Sequence, residues 1–112
     1  MPADAAALAA VPRLMENDAN LPALLTVMDG HLRKYPGDSR ALVLKADLLH
    51  RNATVLADQG RGDAALQMLD ELLTIDPADI KARRLRSKLL RESGREQDAV
   101  EEEARIRGFE KP

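Results

Sequence analysis

One segment of the chain is rich in basic side chains that could bind an acidic group. Residues 80–92 contain no acid before Glu92, and their apolar residues recur at helical spacing. Four of the basic residues are separated by three, four and three positions, which places them on one stripe of a helix. The segment carries Lys81, Arg83, Arg84, Arg86, Lys88 and Arg91, and the stripe, hereafter the basic stripe, consists of Lys81, Arg84, Lys88 and Arg91.

Like charges at this spacing repel each other by about 0.2–0.5 kcal/mol per pair. A stripe kept despite this cost indicates a surface that binds an acidic partner. The alternative is a solvated helix face that is balanced by the acidic stretch 96–103. The sequence leaves both interpretations open.

Other residue types give little support for catalysis. His31 and His50 lie on different predicted helices, and neither has a second ligand at metal-binding spacing. There is no cysteine and no phosphate-binding loop with its Lys-Ser/Thr ending. The run 101–103 of three glutamates is typical of a solvated helix face. We therefore expect a protein that is not an enzyme and has no cofactor and no metal.

Composition limits the class of protein. A chain of 112 residues suits one domain, and 45% hydrophobic but only 2% aromatic residues favour an aliphatic, helical core. The net charge of -2 makes nucleic acid an unlikely partner. No stretch reaches the roughly 20 apolar residues that span a bilayer, so no membrane partner is expected. The N-terminus lacks the basic start of a secretion signal. We expect a cytoplasmic protein, with a periplasmic location after signal removal left open.

Two segments of the chain repeat each other at an offset of 41 residues. Prolines and aspartates agree as well as leucines, which argues against chance similarity between two leucine-rich helices. The matches include Asp29/Asp70, Leu32/Leu73, Pro36/Pro77, Asp38/Asp79, Ala41/Ala82, Leu44/Leu85, Leu48/Leu89 and Leu49/Leu90.

Helix breakers divide the chain into five clear helices and one imperfect one. We predict helices over residues 21–35, 40–58, 64–76, 80–93 and 97–107, capped at the second by Asp38 or Ser39, at the third by Asp63 and at the fourth by Asp79. Gly94 is predicted to be a left-handed stop. Residues 5–15 are expected to form an imperfect helix that starts properly at Pro12, followed by a loop over 16–20.

These helix pairs resemble the tetratricopeptide repeat, a unit of about 34 residues that stacks as helix pairs. The resemblance is carried by Gly60, Ala65, Asp76 and Pro77 in the middle unit and by Ser87, Gly94 and Ala99 in the last unit. The family's aromatic positions hold Arg83 and Leu42 instead. The resemblance implies an all-α fold, stacked as a short right-handed solenoid, in one domain over 1–112. Its units are a degenerate repeat at 5–38, a lengthened repeat at 39–79 and a third repeat at 80–112.

In this family the first helix of each pair lines a concave groove, so the resemblance implies a scaffold or adaptor that holds a partner peptide or helix, which the basic stripe suggests is acidic. The expected groove residues are Arg40, Asp47, His50, Arg51, Lys81, Arg84, Lys88 and Arg91. The alternative is a structural or self-assembling module of a larger complex, in which the chain forms a homo-oligomer. Close helix contacts are expected at Ala65 and Ala99.

The middle unit is seven residues longer than the family's unit. Seven residues are about two helical turns, so the added length keeps the apolar stripe on one face. We therefore predict one long helix over about 40–58. Val55 and Leu56 would be bare at its tip unless the N-terminal segment, with Leu8, Val11 and Leu14, covers them.

Overall fold

The computed structural model describes residues 2–111, with side chains from residue 8 onward, and within this range the fold is entirely helical. Six α-helices follow one another, each packing mainly on its neighbours in sequence. A short 3-10 turn at Asp18–Asn20 joins the first two helices. The helices are α1 (Pro2–Leu14), α2 (Leu21–Lys34), α3 (Ser39–Asp58), α4 (Gly62–Ile75), α5 (Ile80–Glu92) and α6 (Glu96–Glu110).

Short polar side chains start α3 and α5 as predicted. The Asp38 carboxylate accepts hydrogen bonds from the backbone N–H groups of Arg40 and Ala41, and Asp79 accepts one from Ala82. These bonds satisfy backbone donors that have no partner inside the helix. The two equivalent caps lie 41 residues apart, so the sequence repeat corresponds to a repeated local structure.

Glycines end α3 and α5 in the left-handed conformation. Gly60 has a φ of 75° and Gly94 a φ of 82°, values that favour glycine over other residues. In each case the following arginine donates its backbone N–H to a carbonyl five residues back, from Arg61 to Leu56 and from Arg95 to Leu90, both at 2.8 Å. This geometry is the Schellman motif, which satisfies carbonyls at the helix end. The left-handed stop predicted at Gly94 is confirmed.

Two local predictions were wrong. Asp63 lies inside the first turn of α4, whose N-cap is Arg61, and its side chain makes no capping hydrogen bond. Pro12 does not start a helix but lies in the last turn of α1, which is continuous from Pro2 to Leu14. A proline near the end of a helix removes only one backbone hydrogen bond, so the preceding turns are preserved.

The core consists of two clusters that meet at α3. The N-terminal cluster joins α1, α2 and the first half of α3, and includes Leu8, Val11, Met15, Leu21, Leu24, Met28, Ala41, Leu44 and Leu48. The C-terminal cluster joins the second half of α3 to α4, α5 and α6, and includes Leu49, Ala53, Leu56, Ala65, Leu66, Leu69, Leu72, Ala82, Leu89, Leu90 and Ala99. Ala65 and Ala99 are fully buried, as predicted.

The predicted long helix is present as the 20-residue α3. Leu56 is buried in the C-terminal cluster, so the prediction of an exposed tip there was wrong. Val55 is partly buried against the cluster that contains Leu8 and Val11, which agrees with the expected cover from α1. Leu14 is 44% exposed and takes no part in that cover. Among residues 2–111 no helix is both long and apolar enough to cross a bilayer.

Candidate functional site

A cleft of about 420 Å³ lies where the end of α1, the middle of α3 and the start of α5 come together. Four of the eight predicted groove residues line it: Asp47, His50, Arg51 and Lys81. Its other lining residues were not predicted, and are Pro12, Met15, Glu16, Ala46 and Asp79. The cleft therefore collects polar side chains from three separate helices and the turn before α5.

The helices place these side chains for simple reasons. In α3, Leu48 and Leu49 face the two core clusters, so Asp47 and Arg51 point away from the core and are exposed. Lys81 follows directly on Ile80, the first residue of α5, whose start is fixed by the Asp79 cap. The cap thus fixes where the lysine stands relative to α3.

The four predicted residues in the cleft make no ion pair or side-chain hydrogen bond with residues 8–111. This sets the cleft apart, because most of the basic side chains on α5 are paired. Charges of both signs line the cleft: Arg51 and Lys81 are basic, and Glu16, Asp47 and Asp79 are acidic. The cleft is thus polar and of mixed charge rather than cationic throughout.

The remaining predicted groove residues lie elsewhere. Arg84 and Arg91 on the basic stripe pair with acids of α6: Arg84 lies 2.6 Å from Glu110, and Arg91 contacts both Glu96 and Glu103. Hydrogen bonding from Arg91 lowers the pKa of Glu103, and a bond from Ser87 adds to this against the opposing effect of burial. Lys88 and Arg40 are exposed and line none of the clefts described in this subsection.

The basic helix α5 also uses two arginines to hold a buried carboxylate. Glu102 on α6 is only 1% exposed and accepts hydrogen bonds from Arg83 at 2.8 Å and from Arg86 at 2.7 Å. Arg86 donates a further bond to Asp70 on α4, at 2.9 Å. Arg83 donates to the carbonyl of Pro77. The buried charge is fully compensated, so these residues form a structural clasp between α4, α5 and α6.

A similar clasp joins α2, α3 and α4. Lys45 lies 2.7 Å from both Asp29 and Glu71. Burial opposes the charged form of Lys45, but the two carboxylates outweigh it and raise its pKa. Lys45 and Asp29 stand 41 residues before Arg86 and Asp70, so the internal repeat includes this ion pair. The sequence reading missed both clasps, although the shared offset of Lys45 and Arg86 was a usable signal.

The other histidine, His31, is also structural. Its Nε2 lies 2.7 Å from the Asp38 carboxylate, and its ring lies 5.1 Å from that of Tyr35. This hydrogen bond is the main reason that the pKa of Asp38 is lowered, and the backbone N–H of Ala41 adds to it. Among the residues whose side chains are described, no group of three histidine, aspartate or glutamate side chains is arranged to hold a metal ion.

Comparison with known proteins adds no identification. Neither a protein-family model, nor a curated protein, nor a solved structure matches the chain. The site therefore has to be interpreted from its own geometry and charge.

Proposed function

We propose that this protein is a non-catalytic interaction scaffold of the tetratricopeptide type, which holds a peptide segment or helix of a partner protein in the cleft between α1, α3 and α5. The observation that carries the proposal is the gathering of Asp47, His50, Arg51 and Lys81 at one cleft without ion-pair partners among residues 8–111. Elsewhere on α5 the arginines are used within the chain.

The charges of the cleft define the chemistry of the bound segment. Arg51 and Lys81 bind acidic side chains of the partner, in keeping with the preference suggested by the basic stripe. Glu16 and Asp47 favour a basic residue at the opposite wall. Complementary charges of this kind select partners and register more than they add affinity. Apolar contact with Ala46 and Met15 supplies the non-directional part of binding.

A capture experiment with paired variants tests the proposal. The purified protein is immobilised and exposed to a lysate of its source cells, and the bound proteins are quantified by mass spectrometry. The test variant is Arg51→Glu/Lys81→Glu. The matched control is Arg40→Glu/Lys88→Glu, which makes the same charge change at exposed positions of the same two helices, outside the cleft.

The partner should be lost from the cleft variant by about ten-fold or more, because two opposite-charge contacts become repulsive. It should be retained by the control, and its binding by the unchanged protein should weaken as salt rises. A partner that both variants capture equally would contradict the proposal. Light scattering after size-exclusion chromatography distinguishes the alternative, because a concentration-dependent dimer that dissociates only in the cleft variant would indicate self-assembly.

A further inference from the structure

The acidic side chains of α6 occupy the upper part of the basic stripe. Arg84 pairs with Glu110, and Arg91 pairs with Glu96 and Glu103. Arg84, Glu103 and Glu110 also line a second cleft of about 340 Å³ between α5 and α6. Lys81, at the lower end of the same stripe, has no such partner among residues 8–111 and opens into the first cleft.

These pairs differ in kind from the buried clasp at Glu102. The side chains of Arg84 and Glu110 are 60% and 48% exposed, and those of Arg91 and Glu96 are 39% and 65% exposed. Exposed ion pairs of this type contribute little to stability and are weakened by salt. The fold does not depend on them, and another anion can replace α6 at the same arginines.

We infer that α6 is a built-in competitor for the basic stripe: its three glutamates occupy Arg84 and Arg91, and so confine an acidic ligand to the Lys81 end of the groove. The inference rests on the proposed function and specifies its regulation. A partner segment with acids only near Lys81 binds without displacing α6. A longer acidic segment reaches Arg84 and Arg91 only by displacing the glutamates, and so binds more weakly than the number of exposed cations suggests.

The test uses a fluorescently labelled deca-glutamate peptide as the probe and measures its affinity by fluorescence anisotropy. The test variant is Glu96→Gln/Glu103→Gln/Glu110→Gln, which keeps the shape of each side chain and removes its charge. The matched control is Asp58→Asn/Asp98→Asn/Glu101→Gln, which removes the same charge from exposed acids. None of the control acids forms an ion pair with residues 8–111.

Removing the three competing charges should tighten probe binding by about five-fold relative to the control variant, the amount expected for two or three exposed pairs. Circular dichroism should show unchanged helicity. Because the triple variant might alter the end of α6, the single change Glu110→Gln at the last residue of that helix gives a second measurement, with a gain of about two-fold.

Equal affinity of the test and control variants would overturn the inference, since the gain would then reflect net charge alone. The result is independent of the capture experiment, which changes Arg51 and Lys81. Loss of the partner from the cleft variant, together with unchanged probe affinity in the α6 variants, would refute the competitor and leave the scaffold proposal intact. The reverse pattern would refute the scaffold proposal and leave the competition at Arg84 and Arg91 established.

Discussion

Replacing Glu102 tests whether the buried clasp holds the last two helices together. Its carboxylate is 1% exposed, while the side chains of Arg83 and Arg86 are 12% and 24% exposed. Glu102→Ala removes the anion and leaves two largely buried guanidinium groups facing each other. Glu102→Gln keeps the shape but turns an amide N–H₂ group towards one of the arginines.

The expected cost follows from these contacts. Breaking a buried ion pair costs about 3–5 kcal/mol. Here Arg83 keeps the Pro77 carbonyl and Arg86 keeps Asp70, so neither cation is left without an acceptor. We therefore expect about 3 kcal/mol for Glu102→Ala, at the lower end of that range. For Glu102→Gln we expect about 1–3 kcal/mol, the cost of one unsatisfied buried donor next to a charge.

Urea denaturation followed by far-ultraviolet circular dichroism measures both values. With a slope of roughly 1–3 kcal/mol/M for a small protein, the Glu102→Ala midpoint should fall by about 1–3 M. Glu101→Ala is the matched control, since this neighbouring glutamate is exposed and should change stability by less than about 0.5 kcal/mol. If the two alanine variants unfold at the same urea concentration, the clasp does not stabilise the fold and the reasoning fails.

Three further outcomes follow from the caps, the buried histidine contact and the close helix approach. Asp79→Ala should cost about 1 kcal/mol in thermal or urea unfolding, whereas Asp63→Ala should cost almost nothing, because only Asp79 caps a helix. The folded state lowers the pKa of Asp38, first through its hydrogen bond with His31, so its contribution is complete above the ordinary pKa of about 4 and disappears as pH falls through the lower folded value. Melts of Asp38→Asn should therefore differ from those of the unchanged protein at pH 6 and converge near pH 2, and a pH-independent difference would contradict this assignment. Ala99→Phe should cost about 1–3 kcal/mol by overpacking a fully buried position, and a melting midpoint that stays within a degree of the original would show that the helices can separate there.

Most helix boundaries could be predicted because the chain marks them with residues of restricted backbone behaviour. Gly60 and Gly94 supply the left-handed geometry that ends a helix, and Asp38 and Asp79 supply side-chain acceptors at the following starts. The error at Asp63 has the same origin: an aspartate near a helix start suggests a cap, but a cap also needs an extended backbone at that residue. Asp63 instead lies within the helix, one residue after Gly62 begins it.

The candidate site was predictable only in part. Helical spacing identified the basic stripe but not which of its members are already paired, since that depends on how α6 packs across α5. Glu102 looked like one of three solvated glutamates, yet it lies three residues after Ala99 and four before Ile106, both buried, which is the position of a core-facing side chain. The contribution of Met15 and Glu16 to the cleft arises from the packing of α1, which the sequence pattern does not specify.

The position of α3 between the two core clusters has a consequence for how the chain unfolds. Leu48 belongs to the N-terminal cluster and Leu49, its neighbour, to the C-terminal cluster, and both are almost completely buried. Melting either half would expose one flank of the same helix, and a helix of 20 residues in water is only marginally stable on its own. The two halves are thus obliged to melt together, and a cut within α3 would leave neither fragment with a complete core.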